Sequence, residues 1–351
     1  GEVVTFDTKG IMKSKIFAEP VADHEPVPIS SRDLNEKFKR TVLRQSVADV
    51  PLGLFLSGGV DSNGILTALT ENNISPAAYT ALFENNYDSY TSESDVVDEI
   101  VSKHSISIDK VKIKRKEFWD KLDSVIYHQD EPLADPVSFP VFFLSEKVAH
   151  NRGKVIHVGE GADELFFGYE AWRKLEVLQS LQYVQNTISV LKVQWLFRPL
   201  SKLGGLLPGR YSEAWRRFFS GLPLFWGGTD ALSFDEKLMI GVDRKLLCET
   251  DSYMFESYDK FIKNFKDKSP NKWMTYFDLK LRLPELMLMR VDKMAMAHGV
   301  EARVPFLDND LAQVAWNIPI REKRTRKAMK HILKKSFEGT IDDSILYARK
   351  K

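Results

Sequence analysis

The sequence predicts an α/β protein in which helices cover a parallel sheet and a mainly helical C-terminal half follows. Between residues 52 and 158, short apolar segments of strand length alternate with segments of helical periodicity, a pattern typical of parallel sheets. Beyond Tyr169 the strand signals fade, and helical periodicity continues to about residue 340. We therefore expect an extended segment and linker over residues 1–32, an α/β core over about 33–169 and a mainly helical part over 170–351.

The elements of the core follow in order from these patterns. Residues 1–32 hold three prolines among short extended pieces, which favours a strand or two and then a linker. A helix that starts at Ser31 or Asp33 is expected next, because its apolar residues recur at helical spacing. Apolar or alternating segments predict strands over Leu52–Leu56, Ala77–Phe83, Asp109–Ile113 and Lys154–Val158, and helical spacing predicts helices over residues 62–72, Glu93–His104, Glu117–His128 and Phe139–Asn151.

The composition is that of an ordinary globular protein, with 351 residues, of which 43% are hydrophobic and 28% charged. A formal net charge of +1 gives no general attraction to nucleic acid or anionic lipid. The one cysteine, Cys248, excludes an internal disulfide, favours a reducing, cytoplasmic compartment and is expected to be a buried packing thiol. The longest apolar stretch, Ile188–Pro208, contains three basic residues and Pro199, which favours a packed helix and its exit loop over a membrane span.

Residues 57–62, Ser-Gly-Gly-Val-Asp-Ser, lie between a predicted buried strand and a predicted helix. The two glycines let the backbone approach an anion closely, and the free N–H groups at the helix start favour phosphate. The carboxylate of Asp61 is unusual in an anion site unless a cation bridges it. Mg²⁺ is the simplest such cation, because it binds carboxylates and phosphate oxygens together. The loop differs from the Walker A loop and the dinucleotide fingerprint, and a Gly-rich turn that merely closes a strand is the alternative.

A second Gly-containing loop, residues 159–168, follows the predicted strand over Lys154–Val158 and holds Glu160, Asp163 and Glu164. Both loops leave the carboxyl ends of parallel strands, where ligands bind in such sheets. Three carboxylates within five residues repel one another. A shared metal and phosphate, or a proton-acceptor role for one carboxylate, would explain the cluster. The alternative is an exposed acidic helix start that the helix dipole stabilises.

Together the two loops resemble those of the asparagine synthetase family, specifically its synthetase domain. The first also resembles the PP-loop of ATP pyrophosphatases, which cleave ATP between the α- and β-phosphates. Residues 159–169 read Gly-Glu-Gly-Ala-Asp-Glu-Leu-Phe-Phe-Gly-Tyr. Residues 290–296 and 301–308 resemble further motifs of the family, although Arg290 and Asp292 stand one residue closer than in its Arg-x-x-Asp pattern, and residues 130–132 and 135–136 resemble the segment that precedes the acidic loop. The likeness covers nearly the whole chain and implies a fold of the PP-loop, adenine-nucleotide α-hydrolase type.

The resemblance implies an activity. Family members activate a carboxylate with ATP, which gives an acyl-adenylate and pyrophosphate, and ammonia or an amine then displaces AMP. ATP and Mg²⁺ are thus implied as cofactors, with aspartate as the default acceptor and asparagine as its product. The chain begins at Gly1 without the family's N-terminal glutaminase domain, so we expect an excised synthetase half that uses ammonia and not glutamine. No nucleic-acid or membrane partner is expected, and a homodimer is compatible with the resemblance.

The resemblance also implies roles for individual residues. Glu160 matches the family carboxylate near the reacting acyl group, where it can take a proton from the attacking nitrogen. Lys330 matches a lysine that contacts the leaving phosphates. It borders the apolar face of the last predicted helix and can reach inward, whereas the other charges from Lys323 to Lys335 are expected on a solvated face. ATP is placed on Leu56, Ser57, Gly58, Gly59, Asp61, Ser62, Leu82 and Gly159, the metal on Asp61 and Asp163, and the substrate on the candidates Arg290, Asp292, Glu301 and Arg303.

Three alternatives remain open at this point. A related enzyme could act on another carboxylate, as in β-lactam-type ring closure or the amidation of sugar acids. A tRNA-modifying PP-loop enzyme is disfavoured by the balanced charge. A non-catalytic relative is disfavoured by the intact Asp61, Glu160, Asp163 and Lys330. For Glu301 and Arg303, an ion pair that only fixes a loop is an equal alternative.

Overall fold

The computed structural model describes two compact units. The described residues are 2–10, 12–16, 21–22, 28–84, 91–131, 133, 135–174, 176–190, 209–227, 232–325 and 328–348. The first unit comprises Gly1–Gly168 and Leu283–Lys351, and the second comprises Tyr169–Arg282. Most of the apolar stretch expected to be a packed helix and exit loop, residues 191–208, lies outside the described residues.

A five-stranded parallel sheet forms the centre of the first unit and confirms the predicted α/β class. An antiparallel hairpin precedes it, made of β1 (Glu2–Phe6) and β2 (Met12–Ile16). The sheet strands are β3 (Leu52–Phe55), β4 (Ala77–Phe83), β5 (Ile108–Ile113), β6 (Val155–His157) and β7 (Glu301–Arg303), and their order across the sheet is β5-β4-β3-β6-β7.

The strand order reverses between β3 and β6, which lie side by side with Leu52 opposite Val155 and Leu54 opposite His157. From β3 the chain moves outward to β4 and β5, and it returns to the other side of β3 as β6. Such a switch point leaves a crevice at the carboxyl ends of the strands. The loops after β3 and β6 therefore begin next to each other.

Helices connect the strands close to where the sequence predicts them. They are α1 (Ser31–Arg44), α2 (Val60–Thr70), α3 (Thr91–His104), α4 (Arg115–Gln129), α5 (Ser138–His150) and α6 (Ala162–Phe166). Helix α2 begins two residues earlier than predicted, because Gly59 adopts an extended conformation and serves as the N-cap. As a result Asp61 belongs to the first turn of the helix.

In the described part of the second unit, all regular secondary structure is helical. Its helices are α7 (Glu170–Lys174), α8 (Glu176–Val190), α9 (Gly209–Ser220), α10 (Phe234–Met239), α11 (Arg244–Asn264) and α12 (Pro270–Phe277). Cys248 is exposed on α11, so the prediction of a buried thiol is wrong. The buried face of this helix carries Leu247, Met254, Tyr258 and Phe261, and Cys248 lies outside it.

The chain returns to the first unit through a π-helix over Asp278–Leu288 and α13 (Met289–Met296). Val291 and Ala295 of α13 pack with Leu144 and Val148 of α5 against Ile156 in β6. After β7 come a 3₁₀ turn over Pro305–Leu307, then α14 (Asn309–Asn317), α15 (Ile320–Lys323), α16 (His331–Ser336) and α17 (Asp343–Leu346). Within the described ranges, every helix is too short or too polar to cross a membrane.

The basic segment near the C-terminus departs from its prediction. It is two short helices and not one, because α15 ends at Lys323 and Arg324 is extended. Lys323 is consequently only 3% exposed, which contradicts its expected place on a solvated face. Lys330 lies directly before α16 and not within a helix.

Candidate active site

The loop after β3 is built so that the start of α2 stays open. Gly59 caps this helix with its backbone alone, and no side chain caps the first turn. Ser62 Oγ accepts a hydrogen bond from the backbone N–H of Ser57 at 3.1 Å, and Asn63 Nδ2 donates to the carbonyl oxygen of Gly59 at 2.8 Å. The loop is thus held by its own side chains, while no side chain caps the helix start, whose backbone N–H groups favour phosphate.

The loop after β6 turns sharply twice. Gly161 has a φ of +88°, and a Cβ at this position would lie 2.3 Å from Leu307 Cδ2. Phe167 ends α6 in the left-handed region with a φ of 60°. A Cβ at Gly168 would lie 1.9 Å from Asp163 Oδ1 and 2.1 Å from Lys330 Cε. Glycine at position 168 therefore lets these two charged side chains lie against the backbone, and a larger residue would displace them.

The two loops meet at Asp61. A Cβ at Gly159 would lie 3.1 Å from Asp61 Cβ. Lys330 Nζ lies 2.8 Å from Asp61 Oδ1 and 2.6 Å from Asp61 Oδ2, and it lies 2.7 Å from Asp163 Oδ1. Two carboxylates that are 102 positions apart in the sequence therefore reach one cation, here the ammonium group of Lys330.

Lys330 is buried, with 4% exposure, and it adopts the left-handed region with a φ of 53°. Burial on its own lowers the pKa of this lysine, but attraction by Asp61 and Asp163 outweighs burial and raises the pKa above its ordinary value. The ammonium group is therefore charged at neutral pH. Left-handed conformations are costly for residues other than glycine and cluster at functional sites.

The donor set fits magnesium only together with phosphate. Across the described part of the chain, no group of three or more His, Cys, Asp or Glu side chains is arranged to hold a metal. Asp61 and Asp163 offer two carboxylates, and Mg²⁺ is usually bound through one or two carboxylates with phosphate oxygens and water. Lys330 lies between the two carboxylates, so a magnesium ion would compete with this lysine for them.

Glu160 pairs with Arg290 in a second cluster. Arg290 Nη2 donates to Glu160 Oε1 at 2.9 Å, and Nη1 donates to Asp135 Oδ2 at 2.6 Å. Burial raises the pKa of Glu160, and the charge and hydrogen bond of Arg290 offset only part of this effect. A carboxylate with a raised pKa is a better proton acceptor than an ordinary glutamate.

The residues predicted to contact adenine lie on neighbouring strands. Leu56 follows β3, is 2% exposed and donates its backbone N–H to the carbonyl oxygen of Tyr79 at 2.9 Å. Leu82 is half-buried on β4, which pairs with β3. Leu56 lies directly after the carboxyl end of β3, and Leu82 lies in the carboxyl half of β4, on the side from which the two loops leave.

Three of the four candidate substrate residues lie apart from these clusters. Asp292 is exposed on α13. Glu301 and Arg303 pair with each other at 2.8 Å on β7. Among the described residues, the other hydrogen bonds of Arg303 go to the carbonyl oxygens of Gln45 and Val47. Of the four, only Arg290 contacts one of the other predicted site residues, Glu160. Substrate binding by all four remains a prediction.

The structure adds Asn63 and Asp135 to the residues that the sequence identifies. Asn63 follows the Gly-Gly pair by one helical turn, which is the signal that could have identified it as a support of the loop. Asp135 belongs to the segment that resembles the family, but its partner lies 155 residues away, so the pairing is not visible in a local pattern.

Comparisons with known proteins identify relatives of the chain. The model of the asparagine synthase family matches residues 33–351. The chain is 31% identical over 306 residues to glutamine-hydrolyzing asparagine synthetase 1 of Bacillus subtilis, covering 86% of this chain and 46% of the relative. It is 27% identical over 332 residues to asparagine synthetase 3 of the same organism, covering 89% and 46%.

A third relative has a different name. Amidase chry2 of Gibberella zeae is 24% identical over 363 residues, covering 95% of this chain and 53% of the relative. The chain thus spans about half the length of the curated relatives that it matches. The loop motifs, the parallel sheet and the family match lead to one conclusion, which confirms the resemblance: the chain belongs to the asparagine synthase family.

Proposed function

We propose that this chain is the synthetase part of an ATP-dependent ligase that converts a carboxylate into an amide through an acyl-adenylate. The observation that carries the proposal is the convergence of Asp61 and Asp163 on Lys330 at the switch point between β3 and β6. Two carboxylates and a buried ammonium beside an open helix start are the groups that a magnesium nucleotide and a leaving pyrophosphate require.

The proposed reaction has two steps. In the first, a carboxylate oxygen of the acceptor attacks the α-phosphorus of ATP, and the bond from this phosphorus to the bridging oxygen breaks as pyrophosphate leaves. In the second, nitrogen attacks the acyl carbon, the bond from carbon to the AMP oxygen breaks, and the nitrogen loses a proton. The products are an amide, AMP and pyrophosphate.

The residues of each cluster support one part of this two-step reaction. Residues 57–62 would bind the phosphates through backbone N–H groups and the hydroxyls of Ser57 and Ser62. Asp61 and Asp163 would hold magnesium, which neutralises phosphate charge when bound. Lys330 would then interact with the departing pyrophosphate, because its ammonium is already positioned beside these carboxylates. Glu160, with its raised pKa, would accept the proton that the nitrogen loses.

Aspartate is the proposed acceptor, and ammonia is the proposed nitrogen source for the chain in hand. The names of the two synthetase relatives support aspartate. Likeness to proteins named amidases leaves a second candidate, an amide-forming reaction on another carboxylate. β-Lactam-type ring closure and the amidation of sugar acids are reactions of this second kind.

The test measures pyrophosphate release with Mg²⁺, ATP, aspartate and ammonium, and each component is omitted in turn. We expect pyrophosphate release to need Mg²⁺, ATP and aspartate, and amide formation to need ammonium as well, because pyrophosphate leaves before nitrogen attacks. Asp61→Asn and Asp163→Asn should each abolish release, because an amide is a poor magnesium ligand in place of a carboxylate. Asp123→Asn, at an exposed position on α4, is the matched control and should keep full activity. Full release by either site variant would refute its metal role. A panel of other carboxylates distinguishes aspartate from the second candidate.

A further inference from the structure

We propose that Arg290 and Asp135 are positioning residues for Glu160: Arg290 holds the Glu160 carboxylate in place, and Asp135 holds Arg290. This assignment rests on the proposed function, because it gives Glu160 the task of assisting nitrogen attack. It differs from the sequence-based expectation that Arg290 binds the charged ends of the substrate.

The geometry of Arg290 supports a positioning role. Its guanidinium uses one terminal nitrogen for Asp135 at 2.6 Å and the other for Glu160 at 2.9 Å. The side chain is 6% exposed, and within the described ranges its buried Nε has no hydrogen-bond partner. Both terminal nitrogens therefore contact protein carboxylates, and little of the side chain is exposed to a substrate.

The helix that carries Arg290 is fixed to the segment that carries Asp135. One helical turn after Arg290, Lys293 Nζ donates to the carbonyl oxygen of Gln129 at 3.0 Å and to Asp130 Oδ2 at 2.9 Å. Positions three residues apart share one face of a helix. Arg290 and Lys293, on one face of α13, thus bind residues at the two ends of the segment from residue 129 to residue 135.

Glu160 keeps the freedom that a proton acceptor needs. The hydrogen bond from Arg290 uses Oε1, and the Glu160 side chain remains 24% exposed. Arginine stays protonated in proteins, so Arg290 can orient the carboxylate without competing for the proton. Asp61 and Asp163 repel the charge on Glu160, whereas Arg290 attracts it. Loss of Arg290 would therefore leave Glu160 both unanchored and beside two like charges.

The readout is the ratio of amide formed to pyrophosphate released, because Glu160 acts after pyrophosphate leaves and an adenylate that is not captured by nitrogen hydrolyses. We expect both Arg290→Met and Glu160→Gln to lower this ratio by roughly tenfold or more, because a general base typically contributes about 100-fold or more. The ratio for Arg290→Lys should lie between those of Arg290→Met and the parent chain, because lysine keeps the charge but cannot contact Asp135 and Glu160 with two separate terminal nitrogens. Mg²⁺–ATP should raise the Tm of the parent chain and of both Arg290 variants alike.

A double-variant cycle separates positioning from a general structural effect. If Arg290 acts through Glu160, the double variant Glu160→Gln/Arg290→Met should have the same ratio of amide to pyrophosphate as Glu160→Gln alone. If the two residues act independently, the losses of the two single variants should multiply in the double variant. Met296→Ala, at an exposed position of the same helix, is the matched control and should keep the parent ratio. A multiplied loss in the double variant, or a loss in Met296→Ala equal to that in Arg290→Met, would overturn the assignment.

The same assays distinguish this assignment from the proposed function. A parent chain that releases no pyrophosphate with any carboxylate tested contradicts the proposed function and, with it, the task given to Glu160. A parent chain that forms amide, together with an Arg290→Met variant that keeps the parent ratio, contradicts the positioning role alone. Asp135→Asn should reproduce part of the Arg290→Met loss, and an unchanged ratio in that variant would remove Asp135 from the assignment.

Discussion

At the scale of single residues, Lys330 determines the charge balance of the candidate site. Its ammonium lies within 2.8 Å of oxygens from both Asp61 and Asp163. Two carboxylates this close to one cation would repel each other strongly in its absence. Lysine and a divalent cation therefore each offset the repulsion between these two carboxylates, and they compete for them.

Replacing Lys330 by methionine tests that competition. We expect Mg²⁺ alone to raise the Tm of Lys330→Met more than that of the parent chain, because the unneutralised carboxylates bind the ion more tightly. Pyrophosphate release should fall by roughly 100-fold, the usual cost of losing one charge-stabilising group in a reaction of this kind. Thermal melts over a Mg²⁺ series and a pyrophosphate assay measure the two effects. Lys335→Met, exposed on α16, is the control, and an equal Mg²⁺ response in both variants would contradict the competition.

The sequence identifies residues better than it identifies their partners. Lys330 is predicted as an inward-facing lysine, and the structure buries its side chain at the start of α16. Its contact with Asp61 joins positions 269 residues apart, which no local pattern contains. The burial of Cys248 and of Lys323 is predicted wrongly, in opposite directions, because the burial of a side chain depends on where its helix begins and on which face of that helix is packed. A local pattern does not determine helix ends to the residue.

At the scale of elements, strands β3, β4, β5 and β6 are predicted within a residue or two because each is short, apolar or alternating, and bounded by turn residues. Strand β7 is not predicted. It has three residues, Glu-Ala-Arg, and only its central residue is apolar. An edge strand of this length is stabilised by pairing with β6, so its existence depends on long-range contacts that the local sequence does not encode.

The turn at Gly168 yields a test of how elements position the site. A methyl group at this position would collide with Asp163 Oδ1 and Lys330 Cε, so Gly168→Ala should separate this ion pair. We expect weaker Mg²⁺–ATP binding together with a lower Tm, measured by thermal melts with and without the nucleotide. Gly64→Ala is the control, because its methyl group would meet the Phe337 ring at 2.7 Å and no charged group. It should cost about 1–3 kcal/mol of stability while nucleotide affinity is kept. Equal affinity losses in both variants would contradict a specific role for Gly168.

A buried network in the second unit predicts how stability depends on pH. Glu213 on α9 accepts hydrogen bonds from Arg216 at 2.7 Å and 3.1 Å and from Arg217 at 2.7 Å. Burial alone raises the pKa of Glu213, but the hydrogen bond of Arg216 and the charge of Arg217 lower it to about 2. The folded state thus favours the ionised form. Its contribution to stability is complete above the ordinary pKa of 4.5 and disappears as the pH falls towards 2.

Glu213→Gln tests this network. At pH 7 we expect a loss of about 2 kcal/mol in the free energy of unfolding, less than the roughly 3 kcal/mol that the full pKa difference represents, because water screens part of the network. The difference from the parent chain should shrink between pH 4.5 and pH 2, and denaturant unfolding across that range measures it. Glu249→Gln, exposed on α11, should change stability little at any pH. A constant difference over the whole range would contradict the assigned pKa.

At the scale of the whole molecule, both charged clusters of the candidate site lie in the first unit. This unit is assembled from two stretches of chain, Gly1–Gly168 and Leu283–Lys351. The first stretch supplies the two loops and their carboxylates, and the second supplies Arg290 and Lys330. The sequence predicts a change from α/β to helical structure near residue 169, but a change of pattern does not show that the later chain returns to the sheet. Long-range packing around β7 and α13 determines that return.

The nitrogen source that the chain uses is a property of the whole molecule. The relatives named as glutamine-hydrolyzing are about twice as long as the matched region, and the one cysteine of this chain, Cys248, lies exposed in the second unit. We expect amide formation by this 351-residue chain to rise and saturate with ammonium, and glutamine not to replace ammonium. Cys248→Ser should keep full ammonium-dependent activity, because neither charged cluster of the candidate site includes this cysteine. Amide and glutamate are quantified with each nitrogen source in turn. Glutamine-dependent synthesis that Cys248→Ser abolishes would show that the chain generates its own ammonia.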